Sequence, residues 1–164
     1  MKLIRSLGQA GSMWTAGAVL AGGVAVTAAV ATGATVSDEL SVYWSDGDSG
    51  RLSDGTRFRL HGVDAPETGG VGAFGGAECE AEREIGFEAK AVAVELSRDA
   101  EIEVTRNYGA DRYGRLVVDL SINGEDAAET FIRAGSHRSW DYDGGEKKPD
   151  WCAMISDGLV VAPR

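Results

Sequence analysis

Histidine and cysteine, which hold most protein zinc ions, are scarce in this 164-residue chain, with two of each. Cys79 and Cys152 lie far apart, and neither belongs to a CxxC pair or to a cluster with histidine. His61 and His137 each stand alone, so we interpret both as ordinary surface or core residues. This scarcity argues against a zinc site.

Basic residues are also few, with 16 Lys and Arg against 26 Asp and Glu, which gives a net charge of −10. Proteins that bind nucleic acid usually carry a basic footprint for the phosphates. Bulk charge therefore argues against such a role. An acidic chain can still bind phosphate locally through a few arginines and a metal ion, so specific motifs have to carry any nucleic-acid function.

Charged residues are absent from residues 6–37, which follow Lys2 and Arg5. A positive start, an apolar middle rich in Ala, Val and Gly, and small residues around 29–31 are typical of an export signal. The run is also long enough to be an uncleaved membrane anchor. We predict that residues 1–37 are one or the other, and that the folded part is exported, to the periplasm or the extracellular space.

The two cysteines fit an exported chain, where an even number favours a disulfide. We therefore predict a Cys79–Cys152 bridge, with two buried free thiols as the alternative. The bridge would pin the tail, residues 143–164, in which we find no regular pattern. We expect the bridge to hold this tail, with Trp140 and Tyr142, against the folded domain.

Hydrophobic alternation predicts short strands near residues 40–44, 51–53, 56–63, 101–106 and 116–122. Helical spacing predicts helices over about 78–98 and 126–134, the first facing the core with Ile85, Ala89, Val92 and Leu96. A glycine-rich loop occupies residues 69–76. Three strands, a helix, two strands and a helix indicate an α+β, mainly β domain over residues 38–142. The architecture that suits this order is a small five-stranded OB-fold Greek-key barrel.

Three polar clusters could carry chemistry: residues 46–48, 59–67 and 111–115. Each alone could be a plain turn, a set of loop acids or a solvated charged hairpin. Together they offer carboxylates for a hard cation such as Ca²⁺, two arginines to grip a phosphate, and a spare carboxylate to accept a proton from water. Such a set can hydrolyse a phosphodiester.

In order and separation, these clusters resemble the staphylococcal nuclease (thermonuclease) family over roughly residues 40–142. The matching positions are Asp48 in Asp-Gly-Asp-Ser, Arg59, Asp64 and Glu67 in Val-Asp-Ala-Pro-Glu, and Arg115 in Tyr-Gly-Arg. All five charged positions of the family pattern are present.

The resemblance implies a calcium-dependent endonuclease that cuts DNA and RNA, leaving 3′-phosphates. It implies that Asp48, Asp64 and the backbone carbonyl of Ala65 hold Ca²⁺. Glu67 would act as general base for the attacking water. The two arginines, Arg59 and Arg115, would neutralise the pentacoordinate phosphate. We expect single-stranded DNA and RNA as substrates and a monomeric protein.

Two departures from the family pattern concern substrate capture. The loop at 69–76 contains no lysine, whereas it is basic in the best-known member, and that member's long basic C-terminal helix has no counterpart. Both departures predict weak capture. Aromatic side chains could stack on bases, for which Tyr113, Trp140 and Tyr142 are candidates. Packing onto the barrel is the alternative for Trp140 and Tyr142, and support of Arg115 is the alternative for Tyr113.

Two other functions compete with the nuclease. One is a non-catalytic OB-fold module that binds nucleic acid or protein; it would tolerate loss of the acids or arginines, and none is lost. The other is a surface-anchored Ca²⁺-binding domain, which explains the acids but leaves Arg59 and Arg115 unexplained.

Overall fold

A computed structural model describes residues 39–160, so the predicted export segment at 1–37 lies outside the described residues. The strands are β1 (Val42–Trp44), β2 (Ser49–Leu52), β3 (Arg57–Leu60), β4 (Val63–Asp64), β5 (Ile102–Ala110), β6 (Leu116–Ile122), β7 (Glu125–Asp126) and β8 (Arg138–Ser139). The helices are α1 (Glu80–Leu96), α2 (Ala127–Arg133) and α3 (Trp151–Ser156). Among residues 39–160, no helix has the length and apolar character needed to cross a membrane.

The main sheet has the strand order β1-β2-β3-β6-β5, with β7 paired to β6. Strand β3 runs parallel to β6, and the other pairs in this sheet are antiparallel. Strands β4 and β8 form a separate antiparallel pair. A mixed sheet of short strands with three helices is an α+β, OB-like fold, which confirms the predicted fold class.

Aromatic side chains from three elements meet in the core. Trp44 on β1 lies edge-on to Phe58 on β3 and to Phe131 on α2, with ring centroids 5.3 and 5.5 Å apart. All three side chains are buried. Edge-to-face pairs of this kind add to the free energy gained from burial itself, so this cluster fixes α2 against the sheet.

Helix α1 packs on the sheet with Ile85, Ala89 and Ala93 buried at four-residue intervals. The prediction for Leu96 was wrong, since this side chain is 37% exposed. Ala93, one turn before the helix end, takes the innermost position instead. Spacing defines a helical stripe only to within about one position. The buried stripe passes through Ala93, one position after the expected Val92, and leaves Leu96 at the helix end outside it.

The chain after residue 136 carries more structure than its sequence pattern predicted, namely β8 and α3. Cys152 in α3 is bonded to Cys79, the N-cap residue of α1, with the Cα atoms 6.2 Å apart. The predicted disulfide is therefore confirmed. It joins α3 to the start of α1 through two cysteines that are 73 residues apart in sequence.

Replacing both cysteines by serine is expected to lower the free energy of unfolding by at most about 4–5 kcal/mol, because a long closed loop is released in the unfolded chain. Urea unfolding of the variant and of the unaltered chain, with and without reductant, measures this difference. Reductant should move the midpoint of the unaltered chain only. An unchanged midpoint in both experiments would contradict a stabilising bridge.

Candidate active site

Two buried carboxylates share one guanidinium at the centre of the site. Arg59 Nη1 lies 3.2 Å from Asp48 Oδ1, and Arg59 Nη2 lies 3.0 Å from both Asp48 Oδ2 and Asp64 Oδ1. Asp64 is fully buried and Asp48 nearly so. The structure therefore brings together three of the residues that the sequence singled out.

The sheet positions these side chains. In the antiparallel register of β2 and β3, Ser49 pairs with Arg59, so Asp48 directly precedes the point at which the two strands meet. The backbone N–H of Leu60 donates to the carbonyl oxygen of Asp48 at 2.8 Å. Strand β4 then returns the chain to place Asp64 beside them.

His137 supports the turn before β2. Its Nε2 lies 2.8 Å from the carbonyl oxygen of Gly47, and its ring is fully buried. Burial lowers the pKa of His137, which favours the neutral imidazole. A Cβ at Gly47 would lie only 2.7 Å from Ala65 Cβ, so this turn requires glycine. Sequence reasoning took His137 for an ordinary histidine and missed this contact with the turn that carries Asp48.

Glu67 is positioned by helix α1. A Cβ at Gly86 would collide with the carbonyl oxygen of Glu67, so the glycine allows the helix to approach this loop. The buried carboxylate of Glu82 accepts hydrogen bonds from the N–H groups of Glu67, at 3.3 Å, and Glu78, at 2.7 Å. The loop carrying Glu67 is thus held by both the backbone and a side chain of α1.

Lys148, in the segment before α3, reaches into the same site. Its Nζ lies 2.7 Å from Glu67 Oε1 and 3.7 Å from Asp64 Oδ1. Nothing in the sequence pattern distinguishes this lysine from its neighbour Lys147. Its contact with Glu67 joins the C-terminal segment to the predicted catalytic carboxylate.

Two acids of the site, Asp64 and Glu67, have pKa values above their usual range. Burial, followed by the charge of Asp48, raises the pKa of Asp64 to about 6, although Lys148, Trp151 and Arg59 act in the opposite direction. Burial also raises the pKa of Glu67, against the lowering effect of Lys148. A raised pKa means that the surrounding positive charge does not fully compensate the buried negative charge.

These residues fit a calcium ion. One oxygen of Asp48 and one of Asp64 each lie 3.0 Å from Arg59 Nη2, so both carboxylates already face one cationic group. Ala65 lies alongside, since its N–H donates to Asp48 Oδ2 at 3.1 Å. Hard carboxylate and carbonyl oxygens are the ligands that Ca²⁺ prefers.

A family model for staphylococcal nuclease homologues matches residues 57–150, more than half of the chain. The chain belongs to this family. Membership supports a nuclease-like or nucleic-acid-binding role in a family that depends on Ca²⁺ in general. A search of curated proteins gave no match. The matched range contains Arg59, Asp64 and Glu67, whereas Asp48 precedes it and joins the site by geometry.

In this staphylococcal nuclease homologue, Arg115 makes its own ion pair outside the central cluster. Its Nε and Nη2 both lie 2.8 Å from Asp111 Oδ2. Leu116 pairs with Phe58, which places Arg115 beside Arg57 at the start of the parallel strands. No hydrogen bond or ion pair within residues 39–160 joins Arg115 to the carboxylates around Arg59. Among the described residues, the second predicted arginine is therefore not joined to the central cluster by a hydrogen bond or an ion pair.

The predicted base-stacking residues form two groups. The guanidinium carbon of Arg59 lies 5.3 Å from the ring centroid of Trp140. Trp140 also packs edge-on against Tyr142, which is largely exposed. Tyr113 is half-exposed and lies beneath Arg115. Phe74, from the glycine-rich loop, lies edge-on to Tyr113 and is 94% exposed. Phe74 was not among the predicted stacking residues, because its exposure becomes visible only in the folded structure.

Metal-like spacing occurs at a different place, between Cys79, Glu82 and Cys152, where the chemistry does not suit a metal. Cys79, Glu82 and Cys152 bring their potential ligand atoms within 4.8 Å of one another. The two sulfur atoms are bonded to each other, so no thiolate is available for a metal. Glu82 serves instead as an acceptor for backbone N–H groups.

Proposed function

We propose that this protein is a calcium-dependent endonuclease that hydrolyses phosphodiester bonds in single-stranded DNA and RNA. The observation that carries the proposal is the pair of buried carboxylates, Asp48 and Asp64, around Arg59, with Glu67 beside them. A structural ion pair alone does not require a third, partly buried acid at the same place. Hydrolysis requires such an acid, because a base must take a proton from the attacking water.

Asp48, Asp64 and the carbonyl group of Ala65 would hold the ion, which when bound polarises the phosphoryl group and the water. Glu67 accepts a proton as the water oxygen attacks phosphorus. Its raised pKa makes it a better base than an ordinary exposed carboxylate. The P–O5′ bond breaks, the O5′ oxygen takes up a proton, and the products are a 3′-phosphate and a 5′-hydroxyl.

The arginines neutralise charge on the phosphate. Arg59 presents a planar guanidinium beside the carboxylates, and its pKa is raised by Asp48 and Asp64 against the effect of burial, so it stays charged. Arg115 approaches the phosphate from outside the central cluster, and its guanidinium is oriented by Asp111. Tyr113, Trp140 and Tyr142 offer faces on which unpaired bases stack.

We place this activity outside the cytoplasm, in a monomeric protein. The Cys79–Cys152 bridge supports export, because structural disulfides persist in oxidising compartments. The uncharged run at 6–37 supports the same location, as a cleaved signal or as an anchor.

The proposal is tested with a 5′-labelled single-stranded oligonucleotide and its RNA counterpart, incubated with the full chain and Ca²⁺. We expect internal cleavage with 3′-phosphate ends, which phosphatase treatment converts to 3′-hydroxyl ends. Products with 5′-phosphates would contradict the proposed bond cleavage. Binding without cleavage would identify a non-catalytic nucleic-acid-binding module instead.

Cleavage rate is expected to pass through a shallow maximum at intermediate ionic strength. A net charge of −10 repels the substrate at low salt, while high salt weakens the arginine contacts to phosphate. A salt titration at fixed Ca²⁺ measures this profile. A dinucleotide, which carries little charge, should give a flatter curve. A steady fall from the lowest salt upward would contradict the balance.

A further inference from the structure

The indole of Trp151 contacts the central acid of the site from the side opposite to Arg59. Its Nε1–H donates to Asp64 Oδ2 at 2.8 Å, while Asp64 Oδ1 faces Arg59 at 3.0 Å. Trp151 is only 2% exposed and Asp64 is fully buried. Each oxygen of this carboxylate therefore has its own donor, and the plane of the carboxylate is fixed.

Such a contact matters because a buried carboxylate can otherwise rotate about its Cβ–Cγ bond. The hydrogen bond from Trp151 engages Oδ2 of Asp64. Oδ1 of Asp64 then faces Arg59, which Asp48 also contacts. Hydrogen bonds to the outer atoms of metal-ligating groups set their orientation in this way.

Trp151 is itself held in place by the disulfide that its neighbour Cys152 forms with Cys79. It is the first residue of α3, a helix of six residues that is too short to be stable alone. The next residue, Cys152, is bonded to Cys79 at the N-cap of α1. Arg138 on β8 lies over the indole ring, 5.8 Å from its centroid, and pairs with Asp64 in the β4–β8 register.

We propose that Trp151 is a positioning residue for Asp64 as a calcium ligand, and that the Cys79–Cys152 bridge holds Trp151 in place for this purpose. The inference rests on the proposed function, since it requires Asp64 to bind Ca²⁺. It adds a residue that lies outside the family-matched range, which ends at residue 150. The C-terminal tail is then part of the active site.

The test is Ca²⁺ binding to the full chain by calorimetry, without substrate. Trp151→Phe removes the N–H donor and keeps an aromatic ring, and should weaken Ca²⁺ binding by about 10–100-fold. Trp44→Phe is the matched control, because Trp44 is equally buried and donates its indole N–H to Ser97 Oγ at 2.9 Å. It should leave Ca²⁺ affinity unchanged. Equal affinities in the two variants would overturn the inference.

A measurement on the unaltered chain covers the case in which Trp151→Phe does not fold. In ¹H–¹⁵N spectra, the indole N–H resonance of Trp151 should shift when Ca²⁺ is added, and that of Trp44 should not. An unmoved Trp151 resonance, in a protein that binds Ca²⁺, would overturn the inference.

The disulfide arm uses the double variant Cys79→Ser/Cys152→Ser. Because Trp151 is present but no longer tethered, Ca²⁺ affinity should fall, by less than in Trp151→Phe. Full affinity in the double variant would overturn the role given to the bridge. If the unaltered chain binds no Ca²⁺, the proposed function fails together with the inference. If it binds Ca²⁺ and Trp151→Phe binds equally well, the inference alone fails.

Discussion

Arg59→Ala is expected to lower the turnover number by about 10²–10³-fold, the usual cost of removing one preorganised charge from a reacting centre. Ca²⁺ binding should survive this change. Arg59 contacts both Asp48 and Asp64, so its loss frees their oxygens for the ion instead of removing a ligand. A large fall in turnover with retained Ca²⁺ affinity is the signature of a residue that acts on the phosphate.

Arg51→Ala is the matched control for this measurement. Arg51 lies on β2 and is exposed, and its guanidinium donates to the carbonyl oxygen of Gly55 at 2.8 Å. Single-turnover rates and calorimetry on both variants separate chemistry from binding. Near-normal turnover in Arg59→Ala would make Arg59 a structural partner of the acids and contradict its catalytic role.

Glu67→Gln is expected to slow hydrolysis by about 10²–10⁴-fold, the range that a general base contributes. The amide has nearly the same shape but cannot accept a proton from water at neutral pH. Ca²⁺ should still bind, since Asp48 and Asp64 are unchanged. Lys148 loses an ionic partner, with its Nζ 2.7 Å from Glu67 Oε1, so a thermal melt must accompany the kinetics.

Glu84→Gln provides the corresponding control, because Glu84 is exposed on α1 and the same amide is introduced there. Its rate and melting temperature should match those of the unaltered chain. If Glu67→Gln hydrolyses substrate as fast as this control, another group activates the water.

The fold was largely predictable because its signals are local. Alternation of apolar residues defined β3 and β6, and four-residue spacing defined α1. The details that differ depend on partners distant in sequence. Ser49 and Gly50 have the composition of a turn, yet they pair with Arg59 and Phe58 as part of β2.

The central site residues were also predictable, since Arg59, Asp64 and Glu67 lie within one stretch of nine residues and match a family pattern. Their supporting contacts were not. Trp151 is 87 residues from Asp64, Lys148 is 81 from Glu67, and His137 is 90 from Gly47. No local periodicity marks such residues, because the pairing depends on where β8 and α3 pack.

The tail illustrates the same limit. Its glycine, proline and charged residues gave no period, and only the cysteine count indicated that it was attached to the domain. The bridge from Cys152 fixed one point of the tail. The contact between the indole of Trp151 and Asp64 could not be predicted from the sequence, because it depends on how the tail packs in three dimensions.

The most direct test of the account is the dependence of cleavage on calcium. The full chain is incubated with single-stranded DNA in Ca²⁺, then in excess chelator, then after Ca²⁺ is restored. We expect cleavage in Ca²⁺, no cleavage in chelator, and renewed cleavage when Ca²⁺ is restored. Asp64→Asn should be inactive in all three conditions. Cleavage that continues unchanged in excess chelator would contradict the assignment of Asp48 and Asp64 as calcium ligands.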